Sequence, residues 1–390
     1  MRILFASTSG GGHFSPLVPF AHACRRAGHD VLVAGQAGAA PLARRARLAF
    51  RAVAEPSHED VLEFRSGQEG LGPMQAMARA LTGLYVDLYA GAALPGMLAA
   101  IEEWGPDVVV RESAEFASAV AAERLGVPQA QVGIGLSMQA DKLLPLAAPG
   151  LDKLRARVGL RADPDARSLR SLLLTMAPQS LEDPSHAASS GPVRRFRAPT
   201  GDGAESVIDT FGDPDAPLVY LSFGTEVPSR TRDYFPGVYR DALDALAGMD
   251  LRILVTIGDH RDPAELGPLP PSVRVERWVP QAAVMREAAA MIGHGGAGSV
   301  LLALAAGVPM VLVPMFADQP VNARRVAQLG AGLALESGPA SIADLQPAVD
   351  GVLNDPRYRD RARRIADEIQ ALPPIDHAAP ALEALVLGPG

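Results

Sequence analysis

Two series of short apolar runs, none with polar alternation, restrict the fold of this chain more than any other feature. The first series is MRILFAS, HDVLVAG, PDVVVRES and VPQAQVGI. The second begins at APLVYLSFG, residues 216–224, and continues through LRILVTIG, VRVERWV, MIGH and PMVLVPM. A strand that is apolar at nearly every position is covered on both faces, which is the condition of a strand in a parallel sheet. Helical segments lie between the runs: SPLVPFAHACRRAG ending at Gly28, ASAVAAERLG, RDALDALAGM, AVMREAAA and GSVLLALAAG. This alternation predicts α/β architecture, and two series within 390 residues predict two doubly wound, Rossmann-like domains. Such a pair is expected to face a central crevice at the carboxyl ends of both sheets. The Pro-, Gly-, Ser- and Asp-rich stretch 183–217 has linker composition, so the expected domains are 1–199 and 200–371. A last helix in 372–390 is expected to cross back to the first domain.

With 48% apolar and 21% charged residues the composition is that of a soluble enzyme. A formal charge of -8 disfavours nucleic acid or an anionic membrane as partner, since both reward stripes of Lys and Arg. The single cysteine, Cys24, excludes an intrachain disulfide and a thiolate metal cluster, and is expected in the core. Residues 297–317 carry no charge, but Gly307, Pro309 and Pro314 break them into a helix and a buried strand rather than a membrane span. The N-terminus lacks the pattern of a signal peptide, and the expected compartment is the cytoplasm.

The first strand leads into STSGGGHFSP. A dinucleotide fingerprint would need a third glycine where Ser15 stands and a carboxylate after the second strand, which ends in Gln36. No Gly-Lys-Ser/Thr follows for a phosphate loop either. The informative residue is therefore His13, at a strand-to-helix turn, where a neutral imidazole can act as a general base; a capping or packing role is the plain alternative. A base needs a carboxylate on its other ring nitrogen, and Glu112 in VVVRESAEF is the candidate, with Glu115 as competitor.

The second half holds IGHGGAGSVLLALAAGVPMVLVPMFADQPVNA, residues 292–323. A strand ending at His294, glycines 295, 296 and 298 and a helix starting near Ser299 make an anion site from free amides and the helix dipole. Asp318 and Gln319, with Asn322 close behind, supply an acceptor and an amide for sugar hydroxyls. Trp278 and Gln281 in RWVPQAAVM can stack on a nucleobase and read its edge.

The ordered set WVPQ, HGGAGS and FADQPVNA, with the opening SGGGHFSPLVPFAHACRRAGHDV, SLEDP at 180–184 and YLSFGT at 220–225, resembles the nucleotide-sugar-dependent glycosyltransferases of GT-B fold. It is most similar to bacterial enzymes that decorate macrolide, enediyne and aromatic polyketide aglycones. The resemblance implies a metal-independent, inverting transferase of hexosyl type. It would move a (deoxy)sugar from a nucleoside diphosphate, TDP foremost, to a hydroxyl of a hydrophobic aglycone. It assigns the base to His13 and its supporting carboxylate to Glu112. It also assigns phosphate contacts to His294, Gly296, Gly298, Ser299, the amide of Val300 and Thr225, sugar contacts to Asp318 and Gln319, and the base platform to Trp278 and Val279. An acceptor wall is expected from Phe64, Met77 and Tyr85, with Met138 opposite, a core stripe being the plainer reading of the same helical spacing. No cofactor is expected beyond the nucleotide-sugar co-substrate, and no metal. Asp163-Pro-Asp165 and Asp213-Pro-Asp215 have the D-x-D spacing but lie in Pro-rich loops. Partners are the donor and a small-molecule acceptor, without nucleic acid or stable membrane association; a homodimer stays open. The alternatives are a GT-B transferase for a lipid-linked cell-wall intermediate, for which RRARLAFR at 44–51 is the one basic-apolar hint, and a non-catalytic aglycone-binding protein.

Overall fold

The computed structural model describes residues 1–67, 70–136, 140–182, 191–198, 211–225, 227–228 and 233–388. The chain divides into two compact units. One consists of Met1–Ala177, Glu182–Ala198 and Leu372–Gly390; the other of Pro178–Leu181 and Pro199–Ala371.

The first unit is built on a seven-stranded sheet, with strands β1 (Arg2–Ser7), β2 (Asp30–Gln36), β3 (Ala49–Val53), β4 (Val108–Glu112), β5 (Gln129–Val132), β6 (Leu172–Thr175) and β7 (Val193–Arg195). They lie in the order β3-β2-β1-β4-β5-β6-β7, and every pairing is parallel. The apolar runs behave as their composition requires. Ile3 and Phe5 of β1 pack into one core with Val108 and Val110, while Leu4 and Ala6 face a second core with Val109. Cys24 is fully buried. The segment Ile375–Leu382 closes the core that holds Phe20 and Cys24.

The second unit repeats the plan with β8 (Leu218–Ser222), β9 (Arg252–Thr256), β10 (Val273–Glu276), β11 (Ala290–Gly293), β12 (Met310–Leu312) and β13 (Gly332–Ala334). Their order is β10-β9-β8-β11-β12-β13, again all parallel. In each sheet the strand order reverses once, between β1 and β4 and between β8 and β11. Ligand sites of open α/β sheets sit at the carboxyl ends beside such a reversal.

One sequence expectation changes and others take definite form. Residues 183–217 are not linker throughout, because Val193–Arg195 adds to the edge of the first sheet as β7. Residues 44–51 finish a short helix, turn at Arg47 with φ 52° and enter β3, where Arg51 pairs with Glu103 at 2.7 Å. Residues 297–317 split, as the sequence suggests, into the helix Ala297–Ala305 and β12. Among the described residues, the helical segment long and apolar enough to span a membrane is Met74–Trp104. It lends Leu81, Leu84, Val86, Leu94, Met97 and Ile101 to the core of the first unit.

β1 and β2 approach closely where Gly35 pairs with Ser7; a Cβ at Gly35 would lie 2.7 Å from the Ser7 carbonyl oxygen. Gly35→Ala is therefore expected to cost about 1–3 kcal/mol, read as a melting temperature lower by several degrees.

Candidate active site

At the carboxyl end of β1 the chain turns at Gly10, whose φ of 104° belongs to glycine, and Gln36 accepts a hydrogen bond from the Ser9 amide at 3.0 Å. The residue where a dinucleotide fold would need a carboxylate thus clamps the glycine loop. One helical turn, Gly11–Phe14, follows. Phe14 is buried and anchors the turn, while His13 comes off it about 100° away and stays partly exposed.

Glu112, the last residue of β4, is fully buried, and its Oε1 lies 3.0 Å from His13 Nδ1. The Thr8 hydroxyl donates to the same oxygen at 2.9 Å and the Ala114 amide to Oε2 at 2.6 Å. Burial would raise this carboxyl. The charge and hydrogen bond of His13, with the Ala114 and Thr8 donors, outweigh it and hold Glu112 below the usual carboxylate range. An ionised Glu112 only accepts, so Nδ1 carries a proton, and in the neutral imidazole Nε2 keeps its lone pair. The Tyr85 hydroxyl lies 3.0 Å from that Nε2 and, with the imidazole neutral, is the donor of the pair.

Glu115 is spent elsewhere. Its carboxyl receives the Ala117 and Ser118 amides at the start of helix Ala117–Leu125, and burial, opposed by the Ser118 hydroxyl, pushes it up to about 7. Glu112 alone pairs with His13. Beneath both carboxylates Arg111 is almost wholly buried. It donates to the carbonyls of Glu112, Ser113 and Glu115 at 3.1–3.3 Å and to Gln131 Oε1 at 3.2 Å, which fixes the loop carrying Glu112. Sequence reasoning passed over Arg111 and Thr8. The signal for the first was a guanidinium inside the apolar run VVVRES.

In the second unit β11 delivers His294 to the rim next to the end of β8. Its imidazole lies between two glycines: a Cβ at Gly224 would come within 2.7–2.8 Å of the ring, and one at Gly296 would collide with Nε2. Burial lowers His294 to about 4 against a smaller upward pull from the Ser222 carbonyl, so it is neutral at working pH. Its Nδ1 is buried without a hydrogen-bond partner among the described residues. Gly296 caps the helix Ala297–Ala305. Gly298 is open, with nothing within 4 Å of a Cβ built on it, and Thr225 is exposed. Trp278 is 61% exposed while Val279 is buried. Asp318 follows Ala317, a non-glycine residue at φ 56°, and accepts from Asn322 Nδ2 at 2.7 Å.

Residues 240–385 match the family model for the erythromycin biosynthesis protein CIII-like C-terminal domain. The chain is 35% identical to the L-demethylnoviosyl transferase of Streptomyces niveus across 94% of each chain. It is a natural-product glycosyltransferase. Among solved structures, the glycosyltransferase SnogD from Streptomyces nogalater superposes with a TM-score of 0.77 at 26% identity over 99% of both chains. The spinosyn rhamnosyltransferase SpnG complexed with thymidine diphosphate gives 0.80 at 22% identity over 98% of this chain and 100% of that one, a likeness of fold. The fold is GT-B, with two parallel-sheet α/β domains.

Within this glycosyltransferase one donor-side expectation changes and one is narrowed. Val300 cannot lend its amide, which donates to the Gly296 carbonyl at 3.1 Å; the helix starts at Ala297, so the first-turn amides are those of Ala297, Gly298 and Ser299. Gln319 is buried, and its carbonyl accepts the amides of Met315 and Phe316 at 2.9 and 3.1 Å, which leaves its amide group as the part able to donate to a sugar. Of the residues expected in an acceptor wall, Tyr85 meets His13, Phe64 packs against Gly83 and under Arg79, and Met77 is half-buried. Met138 lies outside the described residues. Asp163 and Asp213 accept amides in their own loops, from Ser168 and Asp215.

Because His294 falls from an unfolded value near 6.5 to about 4, the native state binds fewer protons than the unfolded chain between those values. Its stability contribution is whole above pH 6.5 and is lost as pH falls toward 4, on the order of 3 kcal/mol in all. His294→Asn is expected to flatten the dependence of melting temperature on pH in that window. An unchanged slope would contradict the neutral, enclosed imidazole.

Proposed function

We propose that this glycosyltransferase is inverting and metal-independent, and that it transfers a sugar from a TDP-sugar to a hydroxyl of a hydrophobic aglycone with His13 as general base. The observation that carries the reading is the 3.0 Å pairing of His13 Nδ1 with the buried Glu112, at the carboxyl ends of adjacent strands β1 and β4. That pairing leaves Nε2 as the basic atom and places a fixed negative charge where the imidazolium forms. As the acceptor oxygen loses its proton it attacks the anomeric carbon from the face opposite the departing diphosphate. A single displacement inverts that centre. The leaving diphosphate gathers charge that the amides of Ala297, Gly298 and Ser299 and the end of their helix dipole stabilise. His294 serves as a neutral hydrogen-bonding group. Asp318 takes sugar hydroxyls, and the exposed Trp278 offers its indole face to the base. Thymine is favoured because fold-mates such as SpnG bind thymidine diphosphate.

His13→Ala is expected to lower kcat by about 100- to 10,000-fold while the stabilisation by TDP in a thermal-shift assay persists. Glu112→Gln keeps the shape and removes the charge, so a smaller loss of kcat is expected, again with TDP binding intact. Turnover by His13→Ala at the wild-type rate would remove the base from this mechanism. His294→Ala is expected to do the opposite and weaken the TDP shift; a shift of full size would relocate the diphosphate.

A further inference from the structure

The basic atom of the site is not open to the acceptor directly. Glu112 fixes the proton of His13 on Nδ1, so the contact of 3.0 Å at Nε2 has Tyr85 as donor and the imidazole lone pair as acceptor. An acceptor must therefore either evict the phenol or hand its proton on through it. The packing of Tyr85 decides between these. Its ring lies 5.2 Å from the His13 ring at an angle of 38° and meets Tyr89 edge-on at 5.7 Å. Its chain neighbours Leu84 and Val86 are core residues. The backbone there, Ala80–Ala90, is wound as a π-helix, a wider turn that recurs at functional sites and that here aims Tyr85 at the glycine loop after β1. Swinging the ring away would give up the hydrogen bond and both aromatic contacts.

We propose that Tyr85 is a catalytic residue that relays the acceptor's proton to His13. This rests on the reading of His13 as general base. The acceptor hydroxyl donates to the Tyr85 oxygen. As its oxygen bonds to the anomeric carbon and the bond from that carbon to the diphosphate oxygen breaks, the phenol proton passes to His13 Nε2. The acceptor proton passes at the same time to the phenol oxygen. Tyr85 ends neutral, His13 ends as an imidazolium against the Glu112 carboxylate, and the nucleoside diphosphate leaves with the electron pair. The group that meets the acceptor oxygen is then a phenol, and the alignment of that oxygen depends on Tyr85 rather than on the imidazole.

Tyr85→Phe tests this, because it keeps the ring and its packing. The probes are TDP-glucose as donor and a series of 4-substituted phenols of graded acidity as acceptors, with release of TDP followed. For the least acidic phenols, Tyr85→Phe is expected to lower kcat by about 10- to 100-fold with an unchanged KM for TDP-glucose. With 4-nitrophenol, already ionised at the assay pH, the penalty should vanish, and His13→Ala should follow the same trend. A packing role would not depend on acceptor acidity. Wild-type or faster turnover by Tyr85→Phe, with His13→Ala impaired, would make Tyr85 a displaceable cap and overturn the relay. Full activity in both variants would remove the general base as well. The imidazole 1H–15N spectrum checks, without turnover, the hydrogen bond that the relay requires: Tyr85→Phe should move the His13 Nε2 resonance to that of an unbonded lone pair, and an identical shift in both proteins overturns the proposal.

Discussion

The burial of one negative charge, the Glu112 carboxylate, sets the conditions for everything at the rim of the first sheet. A carboxylate with no exposure survives ionised only when its lone pairs are taken, and the donors come from three separate parts of the chain. Thr8 belongs to the loop after β1, His13 to the helical turn behind it and Ala114 to the loop after β4. Arg111 ties down the carbonyls of that last loop from below. Satisfying the buried charge and orienting the imidazole are thus one arrangement. A change that loosens any donor acts on the proton held at Nδ1.

The two halves apply one topology to different ends. In both, the strand order reverses beside the strand that bears the glycine-rich turn. In the first half the glycines shape a turn that presents a side chain. In the second they leave room: Gly224 and Gly296 admit an imidazole between them, and Gly298 leaves the helix start uncovered. The histidine enclosed there is held neutral by its surroundings, whereas His13 has an ionised partner. Like residues on like topology therefore have opposite electrostatics.

Much of this was legible in the sequence because parallel strands advertise themselves by lacking alternation, and because their carboxyl ends lie on one rim. That is why the sequence sets His13 and Glu112, 99 residues apart, on one rim, with Glu115 as a competitor that only the family resemblance sets aside. What escaped was short, charged or directional. β7 is three residues, Val-Arg-Arg, at an edge where solvent tolerates charge, and it was hidden in linker composition. The helix after His294 starts two residues before Ser299, and that small displacement takes the Val300 amide out of the free first-turn set the sequence reading assigned to phosphate. The phenol at Nε2 depends on a π-wound backbone, which redirects side chains in a way no period of 3.6 reveals. The acceptor wall was the least legible part, since a stripe of Met, Phe and Tyr has the same pattern whether it lines a core or a pocket; Met97 is core, Met74 is 55% exposed.

The first unit is assembled from both extremes of the chain, and Ile375, Ala378, Ala379 and Leu382 seal the face that carries Phe20 and Cys24. On the ribosome the opening residues therefore wait, partly uncovered, until the second unit has been made. The same stitching governs recombination between relatives. A chimera with one crossover near Ala198 would take a foreign closing helix along with its new second unit, so exchanging that unit calls for two junctions, the second just before Leu372.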